Sequence, residues 1–494
     1  MIHVSDILNA QKCGRYAWNC RNVKRRQEKF YHLNESFSSL WSRFLHMEDS
    51  ACGHVNETNA QTAQLLEDNE SVRFARFEYK GLRTRIQAIQ KTEDGLILFY
   101  PYLSAAPRES EIDHIKIDTE IIKRLGYAVQ DIYCVYLNKE YVRRDSLDID
   151  RLFLKSGHLF NRRGKPCQKT IMEMVDEIEI DLDDLIEKTN SILSSPAMAP
   201  ERTKACTAGR KCIYYEDCFD DAGLPDDSTL FLTTSKNKLE AYNAGAEHIK
   251  DMDPDLFEGT PLQYAQYMAS RKERPFCDYF ALSAWNEQIE FPISYLDFEW
   301  DTFPIPPYDE MKPFDVLCFQ YSLHVEQKDG TLSHMDFFST GDCRKHFVES
   351  VLDNIPKTGT VLVYNMEGAE KLRLQQLGQQ FPEYADRLEQ ICSRMIDLSR
   401  PFEHGVYYNS AMRGHYSLKN LLPVFSQDYT YKDLEISDGM NAVFAYRNYD
   451  HADAQQQQII QHAIRVYCMM DTYAEYVVYH GLLDHMRQLE KEMF

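Results

Sequence analysis

The sequence predicts a mixed α/β chain of more than one domain, and three observations carry this. Its 494 residues exceed what one core usually holds, since domains run to about 100–200 residues. Short apolar runs such as GLILFYPYL, VQDIYCVYLN, ISYLDFEW and TVLVYN have the length and composition of strands. Helical stretches lie between these runs, so strands and helices alternate instead of segregating.

Along the chain, residues 1–222 mix helices with strand runs, residues 223–290 read as a helical connector of short helices and turns, and residues 291–494 form a second α/β region. Residues 12–29 carry seven basic side chains (Lys12, Arg15, Arg21, Lys24, Arg25, Arg26, Lys29) against Glu28 alone. The stretch MEMVDEIEIDLDDLIEKTNSIL holds eight acidic side chains and no basic one over 173–187. Met174, Ile178, Leu182, Leu185 and Ile186 recur there at helical spacing, which predicts one surface helix. Its charge reads as a solvated face, with an acidic partner-mimicking face as the alternative.

Composition narrows the function classes. The apolar share is 44 % and the charged share 27 %, as in globular proteins, and 31 Tyr, 26 Phe and 4 Trp argue against disorder. A formal charge of −22 argues against indiscriminate coating of nucleic acid. No run reaches the ~18 apolar residues of a membrane span, and the first residues lack a signal-peptide layout, so a cytoplasmic protein is expected. The 13 cysteines then read as reduced thiols or metal ligands.

Chemistry concentrates near the C-terminus. In PISYLDFEW, Asp297 and Glu299 stand two apart on a strand, so both carboxylates share a face and can meet one hard divalent ion. The strand run TVLVYN ends at Asn365 and opens a helix through Met366, Glu367, Gly368, Ala369 and Glu370, putting a carboxylate on the first turn. In IRVYCMMDTYAEYVV, Tyr467 and Asp471 are four apart and so share a helix face. Ser417 and Lys419, in RGHYSLKNLLP, suit phosphate oxygens at a helix start; Ser417 equally suits an N-cap.

Asp-x-Glu, Asn…Glu and Tyr-x-x-x-Asp in this order resemble the DEDDy class of RNase H-like 3′–5′ exonucleases. The resemblance implies that Asp297, Glu299, Glu370 and Asp471 hold two Mg²⁺ or Mn²⁺ ions and that Tyr467 orients the attacking water. The family places its second acid four residues after the Asn, where this chain has Ala369. An extra residue in the turn brings Glu370 into register, with Glu367 as the alternative.

Cys206, Cys212 and Cys218 are spaced six apart, with Cys13 far upstream. Thiolates are soft ligands for iron–sulfur clusters or zinc, and this spacing is looser than the usual zinc pattern; ordinary reduced thiols are the alternative. One cysteine before and three after an α/β module resemble the RecB-like and CRISPR-associated nucleases with an iron–sulfur staple, which implies a [4Fe–4S] cluster on a PD-(D/E)XK restriction-endonuclease-like fold. The nuclease acids are missing: Gln87 stands in the Asp place, Phe99-Tyr100-Pro101 in the Glu-x-Lys place, and DTEIIKRLGY lacks Gln-x-x-x-Tyr. The module is therefore expected to be catalytically dead, with Arg25 and Arg26 contacting phosphate.

Over the whole chain, YLDFEW, PFDVLCFQYSLHV, VLVYN, RMIDL, HYSLKNLLPVF and YCMMDT resemble bacterial proteins that join such a module to the domain of unknown function 2779. The expectation is a metal-dependent 3′–5′ exonuclease acting on nucleic acid, DNA ahead of RNA, with protein partners of a repair or defence system. The alternative is an inactive nucleic-acid-binding scaffold of such a system.

Overall fold

The computed structural model describes residues 1–23, 31, 33, 35–207 and 211–493. Arg25 and Arg26 lie outside the described residues. The chain divides into two units, one of residues 1–220 with 303–314, the other of residues 221–302 with 315–494. The stretch expected as a separate connector, 223–290, thus packs within the second unit: from helix Pro261–Lys272, Gln266 donates to the Phe231 carbonyl and to the Tyr408 hydroxyl.

The first unit is built on a seven-stranded sheet of β1 (Ile2–His3), β2 (Ala51–Cys52), β3 (Ser71–Tyr79), β4 (Leu82–Lys91), β5 (Leu96–Pro101), β6 (Val129–Leu137) and β7 (Phe153–Ser156). The order is β2-β3-β4-β5-β6-β7, with β1 parallel to β4. Lys80 and Gly81 join β3 to β4 with φ of 49° and 81°, the left-handed pair that a two-residue hairpin turn needs. The parallel step from β5 to β6 is spanned by helix Ile112–Arg124, as a parallel connection requires. Val72, Phe77, Ile86 and Leu98 pack with Ile7, Ile115, Ile121 and Ile186 into one buried core, while Ala88, Phe99 and Val135 form a second with Trp41.

The single acidic helix expected over 173–187 is two: Ile171–Glu177 and Leu182–Ser194. Asp181 accepts from the Asp184 N–H at 3.0 Å and so caps a new helix, which the unbroken apolar spacing had concealed. Its Asp183 pairs with Lys80 at 2.7 Å and Arg124 at 3.4 Å. Residues 303–314 join this unit through Arg143, whose N–H donates to the Met311 carbonyl at 3.0 Å and whose guanidinium donates to the Pro306 carbonyl at 2.9 Å.

The second unit carries a two-stranded pair, β8 (Phe276–Cys277) with β14 (Tyr407–Tyr408), and a five-stranded sheet of β9 (Ile293–Thr302), β10 (Val316–Glu326), β11 (Leu332–Phe338), β12 (Val361–Val363) and β13 (Met395–Asp397). Its order is β11-β10-β9-β12-β13. β9, β10 and β11 are antiparallel, whereas β12 runs parallel to β9 and β13 parallel to β12. On one face Leu296 and Phe298 pack with Phe347, Val351, Leu374 and Leu377 from helices Arg344–Asn354 and Glu370–Gln380. Against the other lies the 40-residue helix Ala454–Met493, which buries Ile464, Tyr467, Asp471, Glu475, Val478 and Leu482 at steps of three and four, with Cys468 beside them. Among the described residues, no helix is long and apolar enough to cross a membrane.

Candidate metal centre

The period-two face of β9 sets the first two ligands. Leu296 and Phe298 point into the core, so Asp297 and Glu299 point the opposite way, toward the C-terminal helix. That helix brings Cys468, whose thiol donates to Asp297 Oδ2 at 3.2 Å, and one turn of side chains farther along, Asp471. Asp297, Glu299 and Asp471 place ligand atoms within 4.8 Å of one another, the one such triad of His, Cys, Asp or Glu among the described residues. Glu299 and Asp471 are buried, and Asp297 keeps an opening to solvent.

Electrostatics follow from crowding three like charges. Burial, then the Asp471 charge, raises the Asp297 carboxyl well above the usual range. Burial followed by Asp297 and Asp471 does the same to Glu299. Asp471 is pushed up to about 6 by burial, restrained by hydrogen bonds from Tyr431 and Tyr467 and by the charge of Lys419. The Tyr431 hydroxyl donates to Asp471 Oδ1 at 2.7 Å. Lys419 Nζ stands 5.3 Å from the Tyr467 ring and 5.9 Å from that of Tyr431.

The second motif resolves into two different placements. Glu367 is largely exposed and bound to Lys371 at 3.0 Å. Glu370 begins its helix, is 2 % exposed, and senses the charges of Asp297, Asp397 and Asp471. The turn that leads into this helix is built by Asn365, at φ 61°, and Gly368, where a Cβ would come 2.9 Å from the side-chain Nδ2 of Asn365. Asp397 at the end of β13 fixes this turn, accepting from the N–H groups of Asn365 at 3.1 Å, Met366 at 3.0 Å and Ser399 at 2.8 Å. Asp397→Ala leaves three backbone donors unpaired, that of Ser399 buried, and is expected to cost about 1–3 kcal/mol, read by chemical denaturation, and to weaken divalent-cation binding through Glu370. Unchanged stability would refute this role.

A cleft of about 690 Å³ includes Asn365, Asp397, Arg400, Tyr416 and Ser417 in its lining. Asn365 and Ser417 therefore share a cavity, whereas Lys419 stands with the carboxylates. Ser417 precedes helix Leu418–Phe425 without a side-chain cap bond, its hydroxyl donating to Asn420 instead at 2.7 Å.

Cys468, Tyr431, Asp397 and Glu475 were not singled out from sequence. For Glu475 a signal existed, since it follows Asp471 by the same four-residue step as Asp471 follows Tyr467.

In the first unit the four cysteines come together from distant places. Cys13 sits between helices Val4–Lys12 and Gly14–Asn22, and Cys206 and Cys218 each close a short helical turn. The Cys212 N–H donates to the Cys206 carbonyl at 2.9 Å. Burial raises the Cys218 thiol, opposed by a hydrogen bond and charge from Arg15, with Cys212 and Cys13 near enough to raise it further. All four are free thiols.

Residues 294–417 match a family described as a domain of unknown function (DUF2779). The match takes in Asp297, Glu299 and Glu370 and stops short of Tyr467 and Asp471. No curated protein and no solved structure matches this chain.

Proposed function

We propose that this chain is a metal-dependent 3′–5′ exonuclease, with DNA preferred over RNA, whose second unit has an RNase H-like DEDD exonuclease fold. The observation that carries the reading is the convergence of Asp297, Glu299 and Asp471 within 4.8 Å, with Glu370 buried among their charges. The sheet supports it: three antiparallel strands, β11, β10 and β9, continue into two parallel ones, so β9 is the middle strand of five and carries the acidic face beneath the C-terminal helix.

Hard divalent ions such as Mg²⁺ or Mn²⁺ suit an all-carboxylate donor set; when bound, a pair of them supplies an activated water and stabilises the entering and leaving oxygens of a phosphodiester. Asp297, Glu299 and Asp471 would hold one ion, and Glu370 extends the set toward the second. Tyr467, one turn before Asp471 on the same buried helix face, would orient the water by its hydroxyl. Burial and the surrounding carboxylates raise that phenol above its usual value, so it stays a neutral donor. Lys419 partly neutralises the site and Ser417 lines the adjoining cleft, both suited to phosphate oxygens.

The test is an assay with 3′-blocked and 5′-blocked DNA and RNA strands in Mg²⁺ and Mn²⁺. Digestion confined to free 3′ ends, and lost in Asp471→Ala, is expected. Intact strands under every condition would overturn the reading.

We further propose a PD-(D/E)XK-like, catalytically dead fold for the first unit, stapled by a [4Fe–4S] cluster on Cys13, Cys206, Cys212 and Cys218. The donor chemistry of four thiols fits iron–sulfur ligation. Cys212→Ser is expected to abolish the brown colour and the bound iron of anaerobically purified protein and to destabilise the first unit. Zinc in place of iron by elemental analysis would refute the cluster.

A second reading, binding without cleavage, draws on the β3–β4 hairpin. Arg76 and Arg85 are cross-strand partners, like charges directly opposed, and neither has an ion-pair partner among the described residues. Gln87 and Phe99–Pro101 supply no carboxylate. Metal-independent oligonucleotide binding that Arg85→Glu weakens, with no cleavage, would favour it.

A further inference from the structure

The sequence motifs account for four carboxylates, but the core of the centre holds a fifth. Glu475 is 1 % exposed and its Oε2 has no hydrogen-bond partner. Glu370 is 2 % exposed and its Oε2 is likewise unpartnered. Beside Glu299 on the neighbouring strand, Gln320 is fully buried with both amide atoms unpartnered.

Glu475 stands one turn beyond Asp471 on the buried face of the C-terminal helix. The charges acting on Glu475 are those of Asp297, Glu370, Asp471 and Asp397, in that order. A buried carboxylate oxygen without a partner costs several kcal/mol when charged, and two facing each other compound the cost by mutual repulsion. A protein relieves such a pair in one of two ways: a proton on one of the acids, or a cation between them. The helical step makes the second arrangement coherent. Tyr467, Asp471 and Glu475 stand on successive turns of one buried face, so Glu475 would extend the donor set of this helix beyond Asp471.

We propose that Glu475 is a metal ligand and that Glu475 and Glu370 together form the ligand pair of a second divalent-cation site, next to the one made by Asp297, Glu299 and Asp471. This rests on the metal-dependent reading above and deepens it.

The experiment is Mn²⁺ binding to the full chain, with stoichiometry by calorimetry and free Mn²⁺ by electron paramagnetic resonance, for the parent protein, Glu475→Gln, Glu370→Gln and the double variant. Two ions per parent chain are expected, with one lost or weakened at least about tenfold (about 1.4 kcal/mol) in either single variant. The double variant should lose no more than the singles, since both act on one ion. Glutamine keeps the shape and supplies an N–H that can replace a shared proton, so a protonated structural glutamate predicts two ions in Glu475→Gln with unchanged affinity. That result would overturn this proposal alone. No Mn²⁺ on the parent chain would overturn the metal-dependent reading as well. If Glu475→Gln does not fold, retention of two ions by Glu370→Gln overturns the shared site equally.

Discussion

Asp297→Asn is expected to abolish phosphodiester cleavage, by about 10³-fold or more, while making the metal-free protein more stable. Both effects have one cause. Asp297 is the charge that reaches every other acid of the centre: it raises Glu299, Glu370 and Glu475, and is itself raised by burial and by Asp471. Without a cation these repulsions are uncompensated, so removing the shared member relieves all of them. A gain of about 1–3 kcal/mol in EDTA is the expected size. The asparagine retains an oxygen to accept from the Cys468 thiol, which now donates to Asp297 Oδ2 at 3.2 Å, so the packing is conserved. Added Mg²⁺ should stabilise the parent protein more than the variant. The idea fails if the variant cleaves at a parent-like rate, or if it is less stable than the parent in EDTA.

What could be read from the sequence followed its two periodicities. Asp-x-Glu on a strand fixes a shared face whatever the tertiary fold, and Tyr-x-x-x-Asp fixes a shared helix face; both appear where the spacing put them. Glu370 over Glu367 was a question of one residue in a turn, and a turn is decided by contacts from afar: Asp397, 32 residues downstream of Asn365, is what holds it. Cys468 and Tyr431 were invisible for the same reason, since each meets its carboxylate only after the C-terminal helix has packed on the sheet. The acidic stretch went wrong because its apolar spacing runs on through Asp181, and a capping side chain interrupts a helix without interrupting the pattern. The segment FPIPPYDEMKPF at 303–314 has no periodicity at all, and its membership in the first unit comes from backbone hydrogen bonds to Arg143. The Lys80-Gly81 turn, in contrast, was a usable signal: it sets the register that opposes Arg76 to Arg85.

Divalent-cation affinity is expected to strengthen steeply with pH between about 6.5 and 8, by about tenfold per pH unit for each proton displaced, while the metal-free protein loses stability over the same range. A carboxyl whose folded pKa is raised binds its proton more tightly in the folded state. Its contribution is therefore intact below the unfolded pKa and lost as pH rises through the folded value. Asp471, pushed up to about 6, completes most of its loss near neutrality. Asp297, Glu299, Glu370 and Glu475, all raised well above the usual range by burial, carry the loss onward. Other groups work in the opposite direction but elsewhere on the scale. Hydrogen bonds and nearby histidine charge hold Asp227 and Glu326 low against burial, so their stabilising effect is fully present above about pH 4.5 and is lost only on acidification below it. Burial lowers His324 to about 4 and also depresses His334 and His485; their stability is lost only on acidification below about 6.5. Above that point the acidic centre governs the slope. Melting temperatures in EDTA should thus fall from about pH 6.5 to 8 and the increment from saturating Mg²⁺ should grow, with Asp297→Asn flattening both. An increment independent of pH would mean that cations bind without displacing protons, and that the carboxylates of this centre are not their ligands.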